Sequence, residues 1–356
     1  MSDRLAVVKT CKLFVGGAFP RSESGRVLPV IGAAARRQAS RRPRSTSTSK
    51  SASASPPAPA PVAYVAHASR KDLRDAVEAA AKAQPGWAAR DASNRGQILY
   101  RLAEMIEDRR EAFSTAIREV SGATAAAARR EIDASIDRLV SYAGWSDKYQ
   151  SLLGTHDPVS GPYYAFTVPE ATGVVVVLAP PAPPLLGVVQ MTAAAICTGN
   201  AVVAVVPVDP DGADRADGAG TGGDGGGRGR GSASRGATRG SRASRVPANP
   251  LPAVQLAETC TASDVPAGVI NVLTGLPPEL VPHVALHRGV DAVSAASAGL
   301  DDDDLAALRA GAAENLKRVH VEDADGARWF DHEAMATPWS LEPFVEMKTI
   351  WHPSAI

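Results

Sequence analysis

The stretch that most constrains this chain runs from Gly173 to Val206 and contains two β-branched runs around one long apolar segment. Val174 to Leu178 is apolar throughout and too short to cross a membrane, so it reads as a strand buried on both faces. A proline cluster ends that run at Pro180. The apolar segment from about Leu185 to Cys197 predicts a helix, Gly199-Asn200 predicts its stop, and Val202 to Val206 predicts the next strand. Together they form a β-α-β unit, which sets the carboxyl end of one strand against the amino end of the next helix. That junction is the usual ligand crevice of a parallel α/β sheet, so the chain is expected to be α/β.

Other features narrow the class. With 356 residues there is enough chain for one large domain or two smaller ones. The 38 basic and 38 acidic residues balance, so no global field points to nucleic acid or to a membrane surface. Cys11, Cys197 and Cys260 are odd in number and far apart, which predicts a reducing compartment and no disulfide framework. The start MSDRLAVVKT has no apolar core of secretory length, and no uncharged apolar run reaches about 18 residues. A cytoplasmic protein is expected.

In chain order, Lys12 to Val30 predicts a short hairpin turning at Gly16-Gly17. Residues 31–61, rich in Ala, Arg, Ser and Pro, predict a disordered basic insertion. Three helical stripes follow. Leu73, Val77 and Ala80 mark the first, ended by Pro85-Gly86; Leu99, Leu102, Ile106, Phe113 and Ile117 mark the second; Ile132, Ile136, Leu139 and Ala143 mark the third. Gly154 to Val168 predicts a two-stranded excursion.

Residues 209–248, rich in Gly, Ser and Arg, predict a second disordered insertion. The GxGxxG pattern at Gly220, Gly222 and Gly225 lacks the strand before it and the helix after it that give such a pattern meaning. Beyond lie a helix from about Pro252 to Ser263, a buried strand within PAGVINVLTG, a helix through Leu280, Val281 and Val284, and a strand at Val290 to Val293. His283 and His287 stand four apart without a further ligand to complete a shell, so no metal site is expected. Asp301 to Asp304 precedes a helical pattern, where carboxylates suit the helix dipole.

The ordered set KLFVGGAF, RGQILYRLAEMIEDRR, YAGWSDKY, GVVVVLAPPAPPLL, TGNAVVAV, PAGVINVLTG and AAENLKRVHVE resembles the aldehyde dehydrogenase superfamily over about two-thirds of the chain. The resemblance implies a Rossmann-like parallel sheet with helices on both faces, binding NAD or NADP, plus a small antiparallel oligomerisation hairpin. It also implies a division of the chain: 1–150 as the N-terminal hairpin and helices, 151–172 as the hairpin, 173–322 as the Rossmann-like core, 323–340 as a bridge where the family carries a catalytic domain, and 341–356 as a C-terminal oligomerisation strand.

Family chemistry needs a thiolate to attack the aldehyde, a donor for the oxyanion, and a carboxylate to activate water. On the resemblance, Ala182 in Pro180 to Pro184 stands where the family has its oxyanion asparagine. Val205 stands where it has a ribose-binding lysine, and Ser294 to Ser297 where it has a Phe-Thr-Gly-Ser turn against the cofactor. Pro180, Ala182, Val205 and Ser297 are thus degenerate cofactor-crevice positions. Glu322 aligns with the general base, and no cysteine follows it.

The first functional expectation is therefore a chain inactive by itself. It associates as a homo-oligomer, or with a full-length aldehyde dehydrogenase, through 154–168 and 344–351. The alternatives are an NAD(P)-dependent aldehyde oxidoreductase whose cysteine comes from a partner, and an RNA-interacting protein working through the basic segments.

Overall fold

The computed structural model describes residues 7–40, 59–209 and 247–354. Its strands are β1 (Lys9–Cys11), β2 (Val27–Ile31), β3 (Pro61–Ala66), β4 (Thr155–Asp157), β5 (Tyr163–Ala171), β6 (Val174–Leu178), β7 (Ala201–Pro207), β8 (Ile270–Gly275), β9 (Ala292–Ala296), β10 (Arg318–Glu322) and β11 (Val345–Pro353). The helices are α1 (Ala33–Ser40), α2 (Arg70–Ala88), α3 (Ala92–Asp108), α4 (Arg110–Ser121), α5 (Ala125–Trp145) and α6 (Tyr149–Leu153), followed by α7 (Leu186–Cys197), α8 (Leu251–Cys260), α9 (Pro277–Leu286), α10 (Asp302–Asn315) and α11 (His332–Met335).

The core is a five-stranded parallel sheet ordered β10-β9-β6-β7-β8. Strand alternation divides its apolar side chains between two layers. Val174, Val176 and Leu178 pack with Leu73 and Val77 of α2, Val281 and Val284 of α9 and Leu308 of α10. Val175 and Val177 pack on the other face with residues of α3, α5, α7 and α8. Every residue of β6 and β7 is buried, which is why both read as continuous apolar runs. The class is α/β with helices on both faces of a Rossmann-like sheet.

A second sheet has the order β11-β5-β4 and is antiparallel throughout. β11 follows β5 without a break from Val345 opposite Ala171 to Pro353 opposite Tyr163. The two segments expected to mediate association are thus neighbours within one chain.

Several expectations need correction. Lys12 to Val30 is not a two-stranded hairpin: β1 and β2 both pair with β3, on opposite sides, and only the tight turn from Val15 to Ala18 survives. Pro85 does not end α2, because the last turn is anchored by buried Trp87, whose indole N–H donates to the Ile196 carbonyl at 2.9 Å. The second stripe is two helices, α3 and α4, separated at Arg109, whose φ and ψ of −101° and 19° leave the helical region.

The expected disordered segment 31–61 contains α1. Gly32 is buried beside the α4 backbone, and the Arg36 guanidinium donates to Ile31 and Val120 carbonyls and pairs with Asp209 at 2.7 Å. Asp209 and residues 247–248, at the two ends of the expected 209–248 insertion, are likewise placed, and Ala248 is buried. Residues 41–58 and 210–246, including the GxGxxG pattern, lie outside the described residues.

The bridge 323–340 is built, not slack. It contains a 3₁₀ turn at Arg328–Phe330 and α11, and a second 3₁₀ segment, Pro338–Phe344, carries the chain into β11. Trp329, Met335 and Leu341 are buried in the same core layer as α5 and α7.

Candidate functional site

Register places the expected crevice residues at one edge. Val205 lies beside Leu178, Leu178 beside Ala295, and Ala295 beside Val321, so the loops after β6 and β9 and the end of β10 leave the sheet together. Pro180 is buried against Gly187, where an added Cβ would lie 2.3 Å from the Pro180 ring. Ala182 is half-buried and precedes a cis peptide bond to Pro183. Val205 has no exposed surface and its carbonyl accepts the Ala179 N–H at 3.0 Å, so it presents nothing to a ligand.

Ser297 and Glu322 do come together. The Ser297 N–H donates to the Glu322 carbonyl at 3.0 Å, and its hydroxyl donates to Asp323 at 2.7 Å. Ser297 thereby ties the β9 loop to the first residue of the bridge. Pro181 packs on Gly299, whose φ of +101° and 3.2 Å clearance for an added Cβ leave little room for a side chain.

Both helix amino ends beside this edge are closed by carboxylates. At α7, Glu131 of α5 accepts the N–H groups of Leu185 at 2.7 Å and Leu186 at 3.2 Å. At α10, Asp301 accepts the Asp304 N–H at 2.8 Å while Asp304 accepts the Asp301 N–H at 3.3 Å, a reciprocal capping box. Asp302 and Asp303 occupy the same first turn, and burial with the neighbouring Asp301 and Asp303 charges raises Asp304 above its ordinary value. A dinucleotide pyrophosphate needs free N–H donors and a favourable field at such an end. These residues do not fit one, because Glu131 takes the donors at α7 and the first turn of α10 carries three carboxylates.

Glu322 lines a cleft of about 220 Å³ with Gln190, Met191, Ser294, His320, Arg328 and residues of the bridge. Its carboxylate stands 3.6 Å from His320 Nε2. Behind the cleft lies a buried polar network that sequence reasoning missed. Arg138 donates to Gln190 Oε1 and to the Trp329 carbonyl, Gln190 donates to Tyr142 Oη at 2.7 Å and to the Met335 carbonyl at 2.9 Å, and Tyr142 donates to Met335 as well at 3.0 Å. Burial lowers Arg138 and raises Tyr142 relative to their ordinary values. The network fastens the bridge over α5 and α7.

Asn200, read from sequence only as a helix stop, fastens the other end. Its side chain accepts the Gly173 N–H at 2.7 Å and donates to the Ala195 carbonyl at 3.0 Å and the Phe344 carbonyl at 2.8 Å. The start of β6, the end of α7 and the approach to β11 therefore meet at one buried amide.

No thiol is poised for attack. Cys11, Cys197 and Cys260 are all buried and free; burial pushes the Cys197 and Cys260 thiols up to about 12 and raises Cys11. His287, the second of the spaced histidines, uses Nδ1 to accept the Gly289 N–H at 3.1 Å. Among the described residues no group of three His, Cys, Asp or Glu side chains could hold a metal ion, and no helix is long and apolar enough to cross a membrane.

A parallel sheet with helices on both faces, together with a three-stranded antiparallel sheet built from β4, β5 and β11, is the fold of aldehyde dehydrogenase-like proteins. The aldehyde dehydrogenase family model matches residues 44–206 of the chain. It is 26% identical over 347 residues to cytosolic aldehyde dehydrogenase 1 of Elephantulus edwardii, covering 93% of this chain and 56% of the relative. Retinal dehydrogenase 2 of Mus musculus is 28% identical over 320 residues, covering 88% and 49%. The chain thus spans about half the length of the curated relatives it matches. Among solved structures, the NAD⁺ complex of a Bacillus cereus aldehyde dehydrogenase aligns with a TM-score of 0.66 at 21% identity over 88% of this chain and 51% of that one. A 3,6-anhydro-L-galactose dehydrogenase aligns with a TM-score of 0.64 at 19% identity, covering 88% and 52%. These likenesses establish the fold.

Proposed function

We propose that this chain is an aldehyde dehydrogenase-like association subunit that does not oxidise aldehydes by itself. The observation that carries the reading is the second sheet. β11 pairs with β5 along its whole length, and the outer half of the sheet holds Tyr163, Tyr164 and Trp351 about half-exposed, with Tyr163 and Trp351 in edge contact at 5.9 Å. Aromatic side chains held rigidly on an exposed sheet are the composition of a binding surface. Its partner is a second copy of this chain or a full-length aldehyde dehydrogenase.

Chemistry at the crevice supports the same reading. Ala182 offers a methyl group where an oxyanion needs a donor, and the helix ends that would receive NAD or NADP hold carboxylates. Glu322, in place for a general base, is paired with His320 beside a cleft that the bridge covers. On this reading Glu322 and Ser297 keep structural roles, and the segments 323–340 and 341–356 serve the sheet.

Three measurements test the proposal. Native mass measurement of the chain alone, and co-expressed with a full-length aldehyde dehydrogenase, is expected to show an oligomer that Trp351→Asp weakens. Aldehyde oxidation with NAD or NADP should be absent from the purified chain at any concentration. Turnover that scales with chain concentration, or dinucleotide binding at micromolar affinity by calorimetry, would return the enzyme reading.

A further inference from the structure

A different sheet edge carries its own pattern, although the Arg318 guanidinium of its strand donates to the Val345 carbonyl where β11 begins. β10 is the last strand of the parallel sheet: β9 lies on one side and, among the described residues, no strand lies on the other. The Arg318 N–H donates to Asp291 and the Glu322 carbonyl accepts from Ser297, so residues 318, 320 and 322 turn their main-chain groups toward β9. By the two-residue period of a strand, Val319 and Val321 turn theirs outward. The strand carries no proline, lysine or bulge, the devices that usually blunt an open edge.

The sequence of this edge, Arg-Val-His-Val-Glu, is complementary to itself when reversed. We propose that β10 pairs antiparallel with β10 of a second copy, about a two-fold axis at His320, joining two five-stranded sheets into one. In that register Val319 and Val321 of each copy form the hydrogen-bonded pairs. Arg318 stands opposite Glu322 of the other copy in the closer, non-hydrogen-bonded pairs, twice by symmetry. Slipping the register by two residues would set Arg318 against a histidine and lose both ion pairs. A symmetric, self-complementary patch of this kind is what a closed two-fold dimer requires.

The inference is independent of the sheet formed by β4, β5 and β11, and the experiments separate the two. His320→Cys should give a covalent dimer on mild oxidation, since the native thiols are buried and residue 320 would face its own copy. Adding Val321→Pro removes an outward N–H without touching the pairing to β9, and should abolish that cross-link with an unchanged circular dichroism spectrum. Glu322→Arg should raise the dimer dissociation constant about tenfold by setting like charges opposite each other at both pairs. Trp351→Asp should leave the cross-link intact. No covalent dimer from His320→Cys at millimolar chain, a cross-link that survives Val321→Pro, or one lost in Trp351→Asp would each overturn the proposal.

Discussion

Glu131 Oε1 accepts the Leu185 N–H at 2.7 Å, so a carboxylate from α5 occupies the amino end of α7 from inside the core. A β-α-β unit ordinarily offers that end to a ligand. Here the same oxygen also takes the Leu186 N–H, and the crevice is closed by the chain's own side chain. The first two donors at this helix end are thus used within the chain.

The Glu131 contact should be visible as a pH dependence of stability. Burial outweighs the two N–H contacts and lifts this carboxyl from 4.5 to about 7. Its folded value therefore lies above its unfolded value, and between the two the folded chain binds more protons. The associated stability is full below about 4.5 and is lost as pH rises through about 7. Urea denaturation from pH 4 to 8 should show this decline in the wild type and not in Glu131→Gln, which keeps an acceptor for Leu185. Glu131→Ala leaves two buried donors bare and should cost about 1–3 kcal/mol.

Trp329 tests whether the bridge is part of the core. Its side chain is 1% exposed, and its carbonyl accepts from Arg138 at 3.3 Å. Trp329→Ala should cost about 3–5 kcal/mol and make residues 323–344 the first site of limited proteolysis. A stability loss under about 1 kcal/mol would mean that the bridge lies loosely on α5 and α7.

What the sequence disclosed follows from how local each signal is. β6 and β7 were legible because every side chain in them is apolar, and the α10 cap because Asp301 and Asp304 lie within one turn. α1 was not, because its stabilising partner Asp209 lies 173 positions away in a stretch of equally polar composition. Glu131 and Arg138 were hidden in the same way: each sits in an ordinary helical pattern, and what makes it special is a contact 54 or 52 residues along the chain. Within the bridge the large buried residues Trp329 and Met335 follow no helical or strand period. They are placed by the polar network around Gln190, not by a stripe. The expected crevice residues lie at one end of the sheet, and the Glu131 carboxylate beside them was not legible because its contacts are long-range.

Leu316 offers a stabilising change. It follows α10 with φ +58°, in the left-handed region, and its side chain is 92% exposed and buries almost nothing. Glycine adopts this conformation freely and is the usual residue one step beyond a helix. Leu316→Gly should raise stability by about 0.5–1 kcal/mol in thermal or urea unfolding, while Leu316→Val, whose branched Cβ suits this region least, should lower it.

Thiol reactivity bears most directly on function. With Cys197 and Cys260 pushed up to about 12 and Cys11 raised by burial, the thiolate fraction of the first two at pH 8 is about one in ten thousand. A nucleophilic enzyme of this class requires the opposite, an accessible thiol held as thiolate near neutral pH. Ellman's reagent at pH 8 should therefore leave the folded chain unlabelled over many minutes and report three thiols per chain in denaturant. A single fast-reacting thiol in the folded protein, protected by added aldehyde, would contradict the burial of all three cysteines and restore a catalytic role to this chain. Slow labelling that follows the rate of global unfolding would instead fix the cysteines as packing residues, Cys197 beside Ser146 and the Tyr142 carbonyl at 3.5 and 3.3 Å.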